Sequence, residues 1–342
     1  MNPTSASTLI EARGVIELLD RPWAILPATL QRIEVLASAQ LRGELGAPEA
    51  AGLARRNQGD KRGYEVVDGV AILPLRGVIT QRPTWLSLLF EETPADGFNR
   101  SFTEAIADPN VRAVLLDVDS PGGEAIASQR IAQTIFAARG KKPLVAVGTG
   151  VMTSGAYWAA AAADRVLLGS PVVLTGSIGV ALAHVDMSTA EQMRGVKITE
   201  VTAGKYKRIA SEHKPLGDEG LAELQRIVNR LYDTFTGDVA RFRQLPAERI
   251  RGTEARLFVG EEAILVGLVD GISAGKAIAE VFTARASLPS AKALPLPGAA
   301  AAQTREQAPG SKLEHLVARH GLDAVRLAIR ERLEAMSSVG KR

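Results

Sequence analysis

Cysteine is absent from this chain, which excludes disulfides, thiol nucleophiles and cysteine-ligated metal and suits a reducing compartment. Aromatic residues are scarce at 4%, and the 41 basic residues barely exceed the 38 acidic ones. Without a long basic block or a supply of stacking rings, nucleic-acid binding has no footing. Histidines number four, so a histidine-based site has few candidates. A secretory leader is not expected either: Met1 to Ser7 is polar and uncharged, and Glu11, Arg13, Glu17, Asp20 and Arg21 interrupt any apolar region. One uncharged stretch, Pro143 to Ala163, is long enough to cross a bilayer. Its centre nevertheless holds Gly148, Thr149, Gly150, Thr153, Ser154 and Gly155, and only one leucine occurs in it. A buried strand, a loop and a buried helix account for it better, so no stable membrane insertion and a cytoplasmic location are expected.

What the chain does have is apolar content of 46% and 32 glycines, enough for a core packed by close backbone approach. Composition divides it into five regions. Residues 1–45 read as an N-terminal helical arm, with Leu30, Ile33, Leu36 and Ala37 at helical spacing behind Pro27. Residues 46–63 form a polar linker. Residues 64–285 are the globular domain, 286–311 an Ala/Pro-rich flexible tether, and 312–342 a charged amphipathic helix in need of a partner.

Inside the globular domain apolar runs alternate with helical patterns. Strands are expected over Val70–Leu75, Val111–Val118, Pro143–Val147, Arg165–Leu168 and the apolar stretch of Val196, Ile198 and Val201. Helices are expected over Phe102–Ala107, Glu124–Arg139 (with Ile126, Ile131 and Ile135 inward), Ser154–Ala163 and Asp218–Arg243. This alternation argues an α/β fold with right-handed crossovers.

Two motifs carry the chemistry. Asp119-Ser120-Pro121-Gly122-Gly123 follows an apolar strand and offers backbone N–H groups at a sharp turn. Further on, Thr153-Ser154-Gly155-Ala156-Tyr157 puts a hydroxyl where a helix begins, beside free N–H groups and the positive end of the helix dipole. Alone, the first is an ordinary turn and the second an N-cap. Together they supply a nucleophile and oxyanion donors, the two needs of serine-based acyl transfer. The base is open on the residues alone. His184 with Asp186 would complete a triad; Lys205 or Lys207, desolvated, would serve as a neutral amine. His315 and His320 lie in the tail helix.

In order along the chain, Asp119–Gly123, Thr153–Tyr157, Leu174-Thr175-Gly176-Ser177-Ile178-Gly179-Val180 and Gly204-Lys205-Tyr206-Lys207 resemble the signal peptide peptidase A family of serine peptidases. The resemblance runs from about Gly69 to Phe282. It implies a ClpP/crotonase-like fold of repeated β-β-α units, with the N-terminal helical arm and C-terminal tethered helix as additions. It also implies a Ser–Lys dyad of Ser154 and Lys207, with Ser177 holding the lysine. Gly123 and Gly155 would then be the oxyanion donors and Gly122 part of the substrate turn, and no metal or cofactor is called for. Ser211 matches a family serine near the lysine, although Glu212 replaces the usual proline. Arg21-Pro22-Trp23-Ala24-Ile25-Leu26-Pro27 is similar to the N-terminal segment of the phage capsid-assembly (prohead) protease branch, and the tethered helix is similar in layout to its scaffold extension. That branch implies capsid, portal or scaffold proteins as polypeptide substrates, a homo-oligomer, and action in the host cytoplasm or inside a prohead. A cellular enzyme degrading membrane-derived peptides and a non-enzymatic capsid scaffold are the alternative expectations.

Overall fold

The computed structural model describes residues 16, 18–42, 63–84 and 90–272. Nearly all of the 46–63 linker, the 286–311 tether and the 312–342 helix lie outside the described residues. The element order is β1 (Trp23–Ile25), α1 (Pro27–Leu41), β2 (Glu65–Val67), β3 (Val70–Thr80), β4 (Glu92–Pro94), α2 (Ala95–Ala107), β5 (Ala113–Glu124), α3 (Ala125–Phe136), β6 (Leu144–Thr153) and α4 (Gly155–Ala161). It continues with β7 (Arg165–Leu168), β8 (Leu174–Gly176), α5 (Ser188–Met193), α6 (Asp218–Arg243), α7 (Ala247–Arg251), β9 (Leu257–Val259), α8 (Glu261–Leu265) and β10 (Gly271–Ile272).

One mixed sheet runs β10-β7-β6-β5-β3-β2, parallel from β10 to β3. The near-continuous apolar runs Ala113 to Val118 and Leu144 to Val147 form its buried centre. The α/β expectation is met, and the units are built as strand, bend, strand, helix. Each long strand changes partner partway. β3 shifts register between Arg76 and Val78 and then takes β4. β5 shifts between Val118 and Ser120. β6 leaves β7 after Gly148 and pairs β8 from Val151. Gly77, Pro121-Gly122 and Gly148-Thr149-Gly150 fall at these breaks, where a ladder can bend or lose a donor. A helix follows each bent unit and covers the sheet.

The main core is lined by small residues. Ala156, Ala159, Ala160 and Ala161 let α4 lie close to β5 and β6. A second cluster gathers Leu18, Leu19, Trp23, Ile25, Leu30, Ile33, Ala37 and Val78 and docks the arm.

Three expectations are corrected. The arm is not purely helical, because Trp23–Ile25 is a strand; prolines at both ends of so short a run hide it from periodicity. Ile126 points outward at 47% exposure, and Ala127, Ser128, Ile131 and Ile135 face the core instead. The apolar Val196, Ile198 and Val201 form no strand; all three are exposed, Val201 at 93%.

Candidate active site

Ser154 closes β6 and opens α4. Its backbone sits at φ 52° and ψ −122°, a region that L-residues avoid. Two bonds hold it there: its N–H donates to the Gly176 carbonyl at 2.7 Å, and its carbonyl accepts from Trp158 at 2.9 Å. The side chain is fully buried, and its hydroxyl has no hydrogen-bond partner among the described residues. A buried orphan hydroxyl costs free energy, so strain and desolvation meet on one residue. At only seven residues α4 has a weak macrodipole; individual N–H groups matter more here.

The glycines surround this point. Gly122 has φ 99°, and Ser120 Oγ steadies its turn by accepting from Gly122 N–H at 3.2 Å and donating to the Gly77 carbonyl at 2.6 Å. A Cβ built on Gly122 would lie 2.8 Å from Gly155 N, so the two motifs are in contact. A Cβ on Gly155 would lie 2.8 Å from the Ala24 carbonyl oxygen and would strike Ser128 Oγ. Gly123 pairs with Ala24 of β1 and with Ile79 of β3. Ser177 is buried at φ 53° next to Gly176, its N–H donating to the Arg256 carbonyl at 2.8 Å. Ser154, Gly155, Gly122, Gly123 and Ser177 therefore converge on one place.

Asp117 stiffens the strands beneath. It is fully buried, accepting from Arg76 at 2.5 Å and from Thr149 at 2.8 Å, and so ties β3 to β6 across β5. Arg76 holds its proton more firmly because of that hydrogen bond. Asp119 caps the β6 bend by accepting from Val151 N–H at 2.9 Å. Neither acid stood out in the sequence as a support, since a carboxylate in an apolar strand gives no sign of its partner. Ser128, packed under Gly155 with an unpartnered hydroxyl, and the Ala24 carbonyl were likewise missed.

The candidate bases are spread out. Lys207 stands on an exposed turn, its N–H donating to the Gly204 carbonyl at 3.1 Å, and its side chain makes no hydrogen bond or ion pair among the described residues. Lys205 pairs with Glu219, and that hydrogen bond raises its pKa, the wrong direction for a neutral amine. His184 Nε2 is buried without a partner among the described residues. Asp186 accepts from Ser188 N–H at 2.9 Å, and hydrogen bonding from the Ser188 side chain and then its backbone lowers the Asp186 pKa. The acid of the would-be triad thus bonds the first residue of α5, and neither His184 nor Lys207 bonds the Ser154 hydroxyl. Ser211 is buried in a separate knot, donating to Glu200 at 2.6 Å and accepting from Arg208 at 3.3 Å. Among the described residues no group of His, Asp and Glu could hold a metal, and no helix is long and apolar enough to cross a membrane.

Residues 137–288 match the sequence model of Peptidase family S49. The chain is 34% identical to Head-tail preconnector protein GP5 of Enterobacteria phage P21, over 65% of this chain and 44% of that protein. It is 31% identical to Capsid assembly protease C of Escherichia phage lambda, over 75% of this chain and 55% of that protein. Serine protease SPPA of the Arabidopsis thaliana chloroplast is 26% identical over 67% of this chain and 34% of its own length. The chain thus spans about half the length of the two phage relatives it matches. A ClpP1 structure from Listeria monocytogenes is similar over 59% of this chain and 90% of its own, with 15% identity and a TM-score of 0.38.

Proposed function

From the premise that this chain carries a Peptidase family S49 domain, we propose that it is a serine endopeptidase of phage head maturation, acting on capsid, portal or scaffold proteins. The observation that carries the reading is Ser154 itself. A strained, buried serine with an unpartnered hydroxyl, set beside Gly122 and Gly155, is costly to keep and suits a nucleophile placed against an oxyanion site. The phage role draws support from the two phage relatives.

In this reading Ser154 Oγ attacks a peptide carbonyl, and the N–H groups of Gly123 and Gly155 stabilise the oxyanion. Lys207 takes the serine proton and returns it to the leaving amine, after which water releases the acyl group. Ser177 would orient the lysine. A lysine serves as base only when desolvated, so Lys207 must be covered in the working enzyme. The segment that bears it also exposes Met193 at 85% and Val201 at 93%. Apolar surface of that kind supports a homo-oligomer whose neighbouring copy covers the lysine. Location in the host cytoplasm or within a prohead follows from the same role.

The experiment is intact mass analysis of capsid, portal and scaffold proteins from the same genome after incubation with wild type or Ser154→Ala. Fragments formed by wild type alone support the reading and name the cut sites. Identical masses in both samples overturn it.

A further inference from the structure

A polypeptide attacked by Ser154 has to run extended along Gly122–Glu124, with one carbonyl turned toward Gly123 and Gly155. The arm of this chain already does so. β1 pairs antiparallel with the end of β5 in the register Trp23 to Glu124, Ala24 to Gly123 and Ile25 to Gly122. The flanking bonds, Ala125 N–H to the Pro22 carbonyl at 2.9 Å and Leu26 N–H to the Pro121 carbonyl at 2.8 Å, set the alternation of the ladder. In an antiparallel pair every second position exchanges hydrogen bonds, so the Ala24 carbonyl faces Gly123 N–H. The same oxygen lies where side chains at Gly122 and Gly155 would project. On its other edge Trp23 exchanges bonds of 2.7 and 2.8 Å with Ala181. β1 is therefore held on both edges, by the β5 ladder on one side and by a single bridge to Ala181 on the other.

We propose that residues 22–26 occupy the polypeptide groove of the Ser154 site in cis, with Ala24 standing for the residue whose carbonyl is attacked. The groove then takes an extended strand with a small residue at that position. Ala24 is fully buried against the main core, whereas Trp23 and Ile25 turn to the cluster beneath α1. The arm is anchored by that cluster and by the 2.7 Å ion pair of Arg21 with Glu124. A tethered occupant acts at high effective concentration, so a substrate gains the groove only in the fraction of molecules whose arm is out. The inference rests on the peptidase reading for the attacking group, whereas the seat of residues 22–26 between β5 and Ala181 is read from the ladder itself.

The test uses binding without turnover. A fluorescent peptide of residues 21–27 is titrated by anisotropy against the full chain carrying Ser154→Ala, and against Ser154→Ala with Ala24→Asp. The added carboxylate cannot stay in a dry, fully buried position and drives the strand out. The double variant should bind the peptide at least about tenfold more tightly. Equal affinity in two folded proteins would overturn the proposal. Should Ala24→Asp lose its folded circular dichroism, Leu26→Pro removes just the N–H bonded to Pro121 and allows the same comparison with the same two outcomes. Failure here leaves the peptidase reading intact, whereas a peptide that binds beside an inert wild-type serine sinks that reading alone.

Discussion

At the scale of the residue, Ser154 holds a backbone conformation that a serine rarely adopts. Gly260 has nearly the same conformation, φ 52° and ψ −117°, at the start of α8, and there the position is a glycine. Ser154→Gly should therefore stabilise the fold by about 1–3 kcal/mol while removing the proposed nucleophile. Urea unfolding of wild type, Ser154→Gly and Ser154→Ala checks this; the alanine variant sheds the orphan hydroxyl but keeps the strain, so it should gain less. A glycine variant no more stable than wild type would mean that the strain is not stored there. For the base, Lys207→Ala should lower kcat by about 10²–10⁴, with Lys205→Ala far milder because Lys205 is committed to Glu219. Comparable losses in the two variants would argue against Lys207 as the base.

At the scale of the element, most of the fold was legible. Pro27–Leu41, Arg165–Leu168 and Asp218–Arg243 have the bounds that their periodicity and caps announce. The three corrections share a physical cause: periodicity reports a pattern, not a partner. Val196, Ile198 and Val201 form an apolar stretch of strand-like composition, yet no described neighbour offers them a ladder. β1 has partners but only three residues of pattern. The proposed nucleophile Ser154 and both glycine motifs stand out in the sequence because each position asks for a particular residue type, whereas Asp117 and Ser128 act only through contacts between distant strands and helices. Contacts of that kind also tune stability. Asp164 accepts from Leu144 N–H at 2.9 Å at the head of β6, and burial raises its pKa against the opposing pull of that bond and Arg139. A carboxyl raised in the folded state contributes stability that is full below the ordinary aspartate range near 3.8 and is lost as pH rises through the raised value. Asp164→Asn should therefore show a smaller fall in urea midpoint between pH of about 4 and 7 than wild type. An unchanged fall would show that Asp164 titrates alike in both states.

At the scale of the whole molecule, the candidate base is exposed, and the apolar residues on its segment have no cover among the described residues. Val201→Asp should lower the mass seen by analytical ultracentrifugation and lower peptidase activity with it. A variant that stays assembled and active would place the covering surface elsewhere. The arm adds a consequence in time. Trp23 finds its ladder partners Glu124 and Ala181 at separations of 101 and 158 residues (124 − 23 and 181 − 23). Such distant closures are slow, because loop entropy is lost before any contact is gained. On the ribosome the arm emerges before both walls of its groove and docks only after they have been made. In refolding, a chain keeping Trp23 as its sole tryptophan should report a late fluorescence phase, after the sheet has formed, as the last seam of the molecule closes.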